Sequence, residues 1–128
     1  MKLLLDTHAL IWWLAGDDSL SLRAREAIAD EANSVAVSAA SAMEVATKFR
    51  IGKLPGAALL ANDFERIIAE QGFAELPISV HQARLAGAMA IDHKDPFDRF
   101  LIAQAQAEAM VLVSNEALFD RYAVERLW

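Results

Sequence analysis

Lys2-Leu3-Leu4-Leu5-Asp6 is the stretch that decides the fold. Its leucines show no polar alternation, so as a short strand they are covered on both faces, as strands of a buried parallel sheet are. Asp6 ends that strand near the expected centre of the sheet. A charge left unpaired there is expensive, so this aspartate needs a reason.

Outward from that strand, helices and strands alternate. Residues 9–15 read as a helix stopped by Gly16. Residues 20–32 read as a second helix, with Leu22 and Ile28 on its apolar side. Val35-Ala36-Val37 is a short strand, too apolar for a solvent-facing edge. Ser41-Ala42-Met43-Glu44 has capping-box spacing and opens a helix that ends at Gly52. Asn62-Asp63-Phe64-Glu65 opens another, ended by Gly72, and residues 73–76 follow as a strand. Ser79-Val80-His81-Gln82 starts a helix running to about Ala90. Asp95-Pro96 sets a good cap before a proline in the first helical position, and that helix runs through Ala109. Residues 110–113 are the clearest strand, Ser114-Asn115-Glu116 begins a short helix, and residues 124–128 close the sheet. The pattern implies an α/β fold in one domain, residues 1–128, with a central, mainly parallel sheet of about five strands and helices on both faces.

The bulk properties agree with a packed domain. Apolar residues make up 55% of the 128, which excludes disorder. The net charge of −6 is unfavourable for binding nucleic acid, which needs a positive surface. Leaving out Asp6, Glu44, Asp95, Asp98 and Glu116 brings it to −1, so a cation-filled acidic site softens that objection. The chain has no cysteine, which excludes disulfides and thiolate–zinc sites. The apolar N-terminal stretch is too short for a secretory signal. The longest apolar run, residues 9–15, falls far short of the roughly 20 a membrane span needs. A cytoplasmic location with no membrane contact is the expectation.

Asp6, Glu44, Asp98 and Glu116 each follow a strand or open a helix. In a parallel sheet such positions gather at the carboxyl edge of the strands. Each acid also has a plain structural role. Asp6 could cap the first helix, and Glu44 could complete the Ser41 capping box or pair with Lys48. Asp98 and Glu116 could answer a helix dipole. Together, however, four carboxylates at one edge repel one another unless protons or cations neutralise them. Their hard oxygens suit Mg²⁺ or Mn²⁺, and such sites serve phosphodiester chemistry. Ser38, Ser41, Ser114 and Asn115 add polar groups at the same edge.

Four blocks occur in order: Leu4-Leu5-Asp6-Thr7-His8-Ala9-Leu10, Ser38-Ala39-Ala40-Ser41-Ala42-Met43-Glu44, Asp95-Pro96-Phe97-Asp98-Arg99-Phe100-Leu101-Ile102-Ala103-Gln104-Ala105 and Leu112-Val113-Ser114-Asn115-Glu116. Together they resemble the PIN-domain ribonucleases, in particular the VapC-like toxins of bacterial toxin–antitoxin pairs. The resemblance implies a compact α/β/α sandwich and a Mg²⁺- or Mn²⁺-dependent endoribonuclease. It aligns the family's first three acids with Asp6, Glu44 and Asp98. Glu116 stands at the fourth, usually an aspartate, and its longer side chain leaves ligation direct or through water open. Met43 stands where relatives often carry a tryptophan and reads as a packing change. The resemblance also implies a homodimer, an RNA substrate and a cognate antitoxin that covers the active site.

The remaining features are weaker. Trp12 and Trp13 are adjacent on one helix and cannot face the same way, so one is expected in the core and the other at an interface. Lys48, Arg50 and Lys53 form a basic group, either a solvated helix end or an RNA-phosphate contact. Arg99 is four residues after Asp95, the spacing of an ion pair. His8 and His93 lie near the acidic edge without a second histidine at ligand spacing. No nucleophilic-serine motif or dinucleotide fingerprint is present. Two rivals stand beside the nuclease reading. One is a phosphatase or phosphotransferase of another α/β type with Asp6 as nucleophile, although such chemistry commonly wants a second acid where His8 stands. The other is a non-catalytic binding module on the same fold.

Overall fold

The computed structural model describes residues 1–128. Five strands form one parallel sheet: β1 (Lys2–Leu5), β2 (Ser34–Ser38), β3 (Ala74–Leu76), β4 (Val111–Val113) and β5 (Glu125–Leu127), in the order β3-β2-β1-β4-β5. Seven helices flank it: α1 (Thr7–Ala15), α2 (Leu22–Ala29), α3 (Ala39–Arg50), α4 (Ala58–Asn62), α5 (Phe64–Glu70), α6 (Val80–Ala88) and α7 (Pro96–Ala107). Two 3₁₀ segments, Pro55–Ala57 and Ala117–Arg121, complete the chain.

The leucine run sits at the centre, and its side chains divide between two cores. Leu3 and Leu5 join Val35, Val37, Val111 and Val113 beneath α1 to α5. Leu4 points the other way, with Ala36 and Leu112, against Leu101, Ile102 and Ala105 of α7. That alternation makes three layers, α/β/α, from a run with no polar alternation of its own. No helix is long and apolar enough to cross a membrane.

The chain winds outward from β1 through β2 to β3, then crosses to place β4 on the other side of β1. The strand order therefore reverses between β1 and β4, and the edge beyond their carboxyl ends is where sheets of this kind place their ligands. Leu5 is level with Val37 on one side and Val113 on the other, so Asp6 is the first residue past three paired strands.

Several sequence boundaries shift. α1 begins at Thr7, because Asp6 caps it directly with no intervening loop. α2 is shorter than residues 20–32, since Ser21 caps its start. Leu22, expected on the apolar side, is 70% exposed, while Ile28 is buried. α3 opens three residues earlier than a Ser41 cap requires. Its N-cap is Ser38, whose hydroxyl accepts the Ala40 amide at 3.0 Å. The Ser41–Glu44 capping box is thus not formed, and both side chains are free for other partners. Asp63 does not cap a helix with its side chain. It breaks the chain between α4 and α5 with φ −142°. The segment after Glu116 is a 3₁₀ turn, where the sequence suggested a short helix. Met43 is 65% exposed and packs no core.

Candidate functional site: an acidic crevice at the strand ends

Asp6, Glu44, Asp98 and Glu116 are carried by four different elements to the carboxyl edge of the sheet. Asp6 leaves β1 in an extended conformation, and its Oδ1 accepts the Ala9 amide at 2.8 Å. The carboxylate is thereby an N-cap, as its plain structural role required. Capping does not relieve its burial. Burial pushes its carboxyl above the ordinary range, against the Ser114 hydroxyl and the Ala9 amide, which lower it. His8 lowers it as well, while the charge of Glu116 raises it.

Asp98 projects from the first turn of α7. Asp95 caps that helix through the Phe97 and Asp98 amides, at 2.9 and 3.3 Å, with Pro96 following. Asp98 is therefore free of capping duty. Its Oδ2 meets Nε2 of His93 at 2.7 Å. Desolvation, assisted by the charges of Asp95 and Glu116, pushes it up to about 6, against the lowering effect of the His93 bond. The charge of Glu116 thus bears on both Asp6 and Asp98 at the strand ends.

Glu44 is buried on the second turn of α3, and both its oxygens are held. The Thr7 hydroxyl donates to Oε1 at 2.5 Å, and the Lys48 ammonium meets Oε2 at 2.5 Å. Thr7 Oγ1 also lies 3.1 Å from Ser41 Oγ, so α1 and α3 are tied below the crevice. Lys48 is held above its ordinary pKa, first by the hydrogen bond to Glu44 and further by Asp95 and Asp98. It links Glu44 to the other acids. Arg50 and Lys53 are exposed and join none of these bonds.

No three acids or histidines converge to metal-ligand distance here. The carboxylates are instead held by the chain itself: Asp6 by Ala9, Glu44 by Thr7 and Lys48, Asp98 by His93.

Some partners were not legible in the sequence. His93 had no histidine partner at ligand spacing, yet it is the hydrogen-bond partner of Asp98. Thr7 carried a faint signal as a polar residue following Asp6 at the start of a helix. Arg99, expected to pair with Asp95, bonds backbone carbonyls instead. Those carbonyls belong to the end of α6 and the loop after it, where acceptors lack helical partners. Neither tryptophan is fully buried. Trp12 leans on His8 and Trp128, with ring centroids 5.5 and 5.8 Å away. Trp13 leans on Phe73 and donates to Gln71 at 3.0 Å.

A doubly wound parallel sheet with acids at its switch point defines an α/β protein with an acidic crevice. A PIN-domain family profile matches residues 3–125, and the chain belongs to that family. No curated protein matches it in sequence. Among solved structures, it is similar to VapBC2 of Rickettsia felis bound to a fragment of promoter DNA, at TM-score 0.71 and 15% identity over 99% of this chain and 98% of that one. It is similar to the DNA-bound VapBC of Salmonella typhimurium, at TM-score 0.68 and 17% identity over 99% and 97%. A third likeness is to FitAcB of Neisseria gonorrhoeae, at TM-score 0.61 and 18% identity over 98% and 96%. At these identities the likeness is one of fold.

Proposed function

We propose that this chain is a Mg²⁺- or Mn²⁺-dependent endoribonuclease, the toxin of a toxin–antitoxin pair, acting in the cytoplasm as a homodimer of 1–128 domains. The observation that carries this reading is Asp6, a buried carboxylate at the end of the central strand, with the charge of Glu116 bearing on both it and Asp98. The donor set fits the ion. It is all carboxylate oxygen, and burial, helped by the charge of Glu116, already disfavours the ionised forms of Asp6 and Asp98, which a cation would favour. Asp6, Glu44 and Asp98 would hold the cation, with Glu116 completing the site directly or through water. A bound cation would activate a water and stabilise the charge that develops at the phosphorus and the leaving oxygen.

The chain's own residues supply position. The Ala9 amide fixes Oδ1 of Asp6, and the Ser114 hydroxyl bonds the same carboxylate. His93 fixes Oδ2 of Asp98. Thr7 fixes Glu44, and Lys48 brings a positive charge to an otherwise negative edge, where an RNA phosphate must approach. Membership in the PIN family supports the nuclease reading, and the resemblance of the four sequence blocks to VapC-like toxins supports RNA as substrate.

The antitoxin reading draws support from neighbours that are themselves VapBC and FitAB complexes. An apolar groove of about 510 Å³, with Ile11, Leu14, Leu54, Leu59, Leu60 and Ile67 among its lining, suits the apolar face of a partner helix. The test of activity is a cleavage assay on single-stranded RNA. Purified protein should cut with Mg²⁺ or Mn²⁺ and stop with chelator. Equal cutting with and without chelator would sink the metal-dependent reading.

A further inference from the structure

Arg99 is the most heavily bonded side chain near the crevice, and nothing in the proposed chemistry uses it. Its guanidinium reaches five backbone carbonyls. Nε donates to Ala86 at 2.8 Å. Nη2 donates to Met89 at 2.7 Å and Gly87 at 3.3 Å, and Nη1 to His93 at 2.8 Å and Ile91 at 3.4 Å. These acceptors are the end of α6 and the irregular segment that leads to α7. Only a planar fork with five donors can gather them; a lysine ammonium has three donors at one point.

The last carbonyl in that set belongs to His93, whose ring holds Asp98 Oδ2. Arg99 and Asp98 are adjacent on the first turns of α7. One helix therefore presents a carboxylate to the crevice and, from the next residue, ties down the segment bearing the group that orients it. The His93 ring is also backed by Tyr122, with centroids 6.2 Å apart.

We infer that Arg99 is a positioning residue for Asp98, acting through His93: by fastening the 86–93 segment it holds the imidazole where it fixes the carboxylate. This rests on the reading of Asp98 as a functional acid. Groups that orient a ligating carboxylate typically change metal affinity about 10- to 100-fold when removed.

The test combines a spectroscopic readout with a binding readout. In wild type, the His93 imidazole nitrogen resonances report the bond to Asp98, with Asp98→Asn giving the signature of its loss. Arg99→Lys should fold and show His93 shifted toward the Asp98→Asn position. Mn²⁺ binding, measured by calorimetry, should weaken about 10-fold or more, as in His93→Ala. The Arg99→Lys/His93→Ala double variant should be no weaker than His93→Ala alone, because the two act in series. Should Arg99→Lys not fold, a glycine inserted between Asp92 and His93 leaves Ala86, Gly87 and Met89 bonded and slackens only the segment ending on His93; the same losses are expected. His93 resonances unmoved in the folded variant, or additive losses of Mn²⁺ affinity in the double variant, would overturn the inference. A wild type that binds no Mn²⁺ would sink the metal reading, and the His93 resonances alone would then decide the role of Arg99.

Discussion

Asp6 carries two roles that a single residue seldom shares. It caps α1 through Oδ1, and its carboxylate is buried near the charge of Glu116, where we propose that it holds a cation. Asp6→Asn keeps the cap, since asparagine caps about as well, and removes one charge from the cluster. The variant should therefore lose RNA cleavage while melting at or above the wild-type temperature in metal-free buffer. A folded Asp6→Asn that cuts at the wild-type rate would exclude it from the chemistry. Asp98 adds a pH dependence. Burial raises its folded-state pKa from 3.8 to about 6, so folding favours the protonated form. Its effect on metal-free stability improves as pH falls from about 6 toward 3.8 and turns unfavourable above that window. In Asp98→Asn that part of the pH dependence should vanish, as thermal melts of both proteins across the window will show. The Asp6 signal was legible in the sequence because an acid after a buried strand is costly wherever the fold puts it. The His93 partner of Asp98 was not, because it depends on how the loop before Pro96 folds back.

At the scale of single elements, the start of α7 was legible and the start of α3 was not. Asp95-Pro96 states a helix start twice over, by cap and by fixed φ, and the structure begins α7 there. Asp95→Asn should accordingly be mild in both stability and activity, whereas Asp98→Asn removes most activity. Nuclease rates on the two purified variants check this, and the reverse outcome would put the functional acid at Asp95. For α3, Ser38 and Ser41 both fit a cap, and only the length of β2 decides between them. Ser38 ends the strand, caps the helix and also bonds the buried Gln104 at 2.5 Å. Ser38→Ala removes a cap and strands a buried amide oxygen, which should cost about 1–3 kcal/mol in denaturant unfolding. Ser41→Ala leaves the cap in place, so a larger loss there than at Ser38 would contradict the assigned start.

Across the whole molecule, the order of strands brings four scattered acids to one edge of the sheet. Residues 6, 44, 98 and 116 share an edge because β1 lies between β2 and β4, and the crossover from β3 brings α7 over the opposite face. Strand existence, parallel pairing and two helical layers followed from apolar runs and caps. The local ties, the Asp6 cap and the Glu44–Lys48 pair, were legible too, but the long-range ones were not, since Thr7 to Glu44 spans 37 residues and Ser38 to Gln104 spans 66. Such pairs are set by tertiary packing, which local sequence patterns do not encode. A cation that binds only the folded crevice must raise the melting temperature by mass action, and by less in Glu44→Gln. Co-expression with the neighbouring gene product should give one co-eluting complex on size exclusion, while two separate monomers would refute the partner reading. The most direct measurement of the central claim is anomalous diffraction from crystals soaked in Mn²⁺. The expected result is a peak in the crevice between the carboxylates of Asp6 and Asp98; crystals whose crevice shows no peak at saturating Mn²⁺ would contradict it.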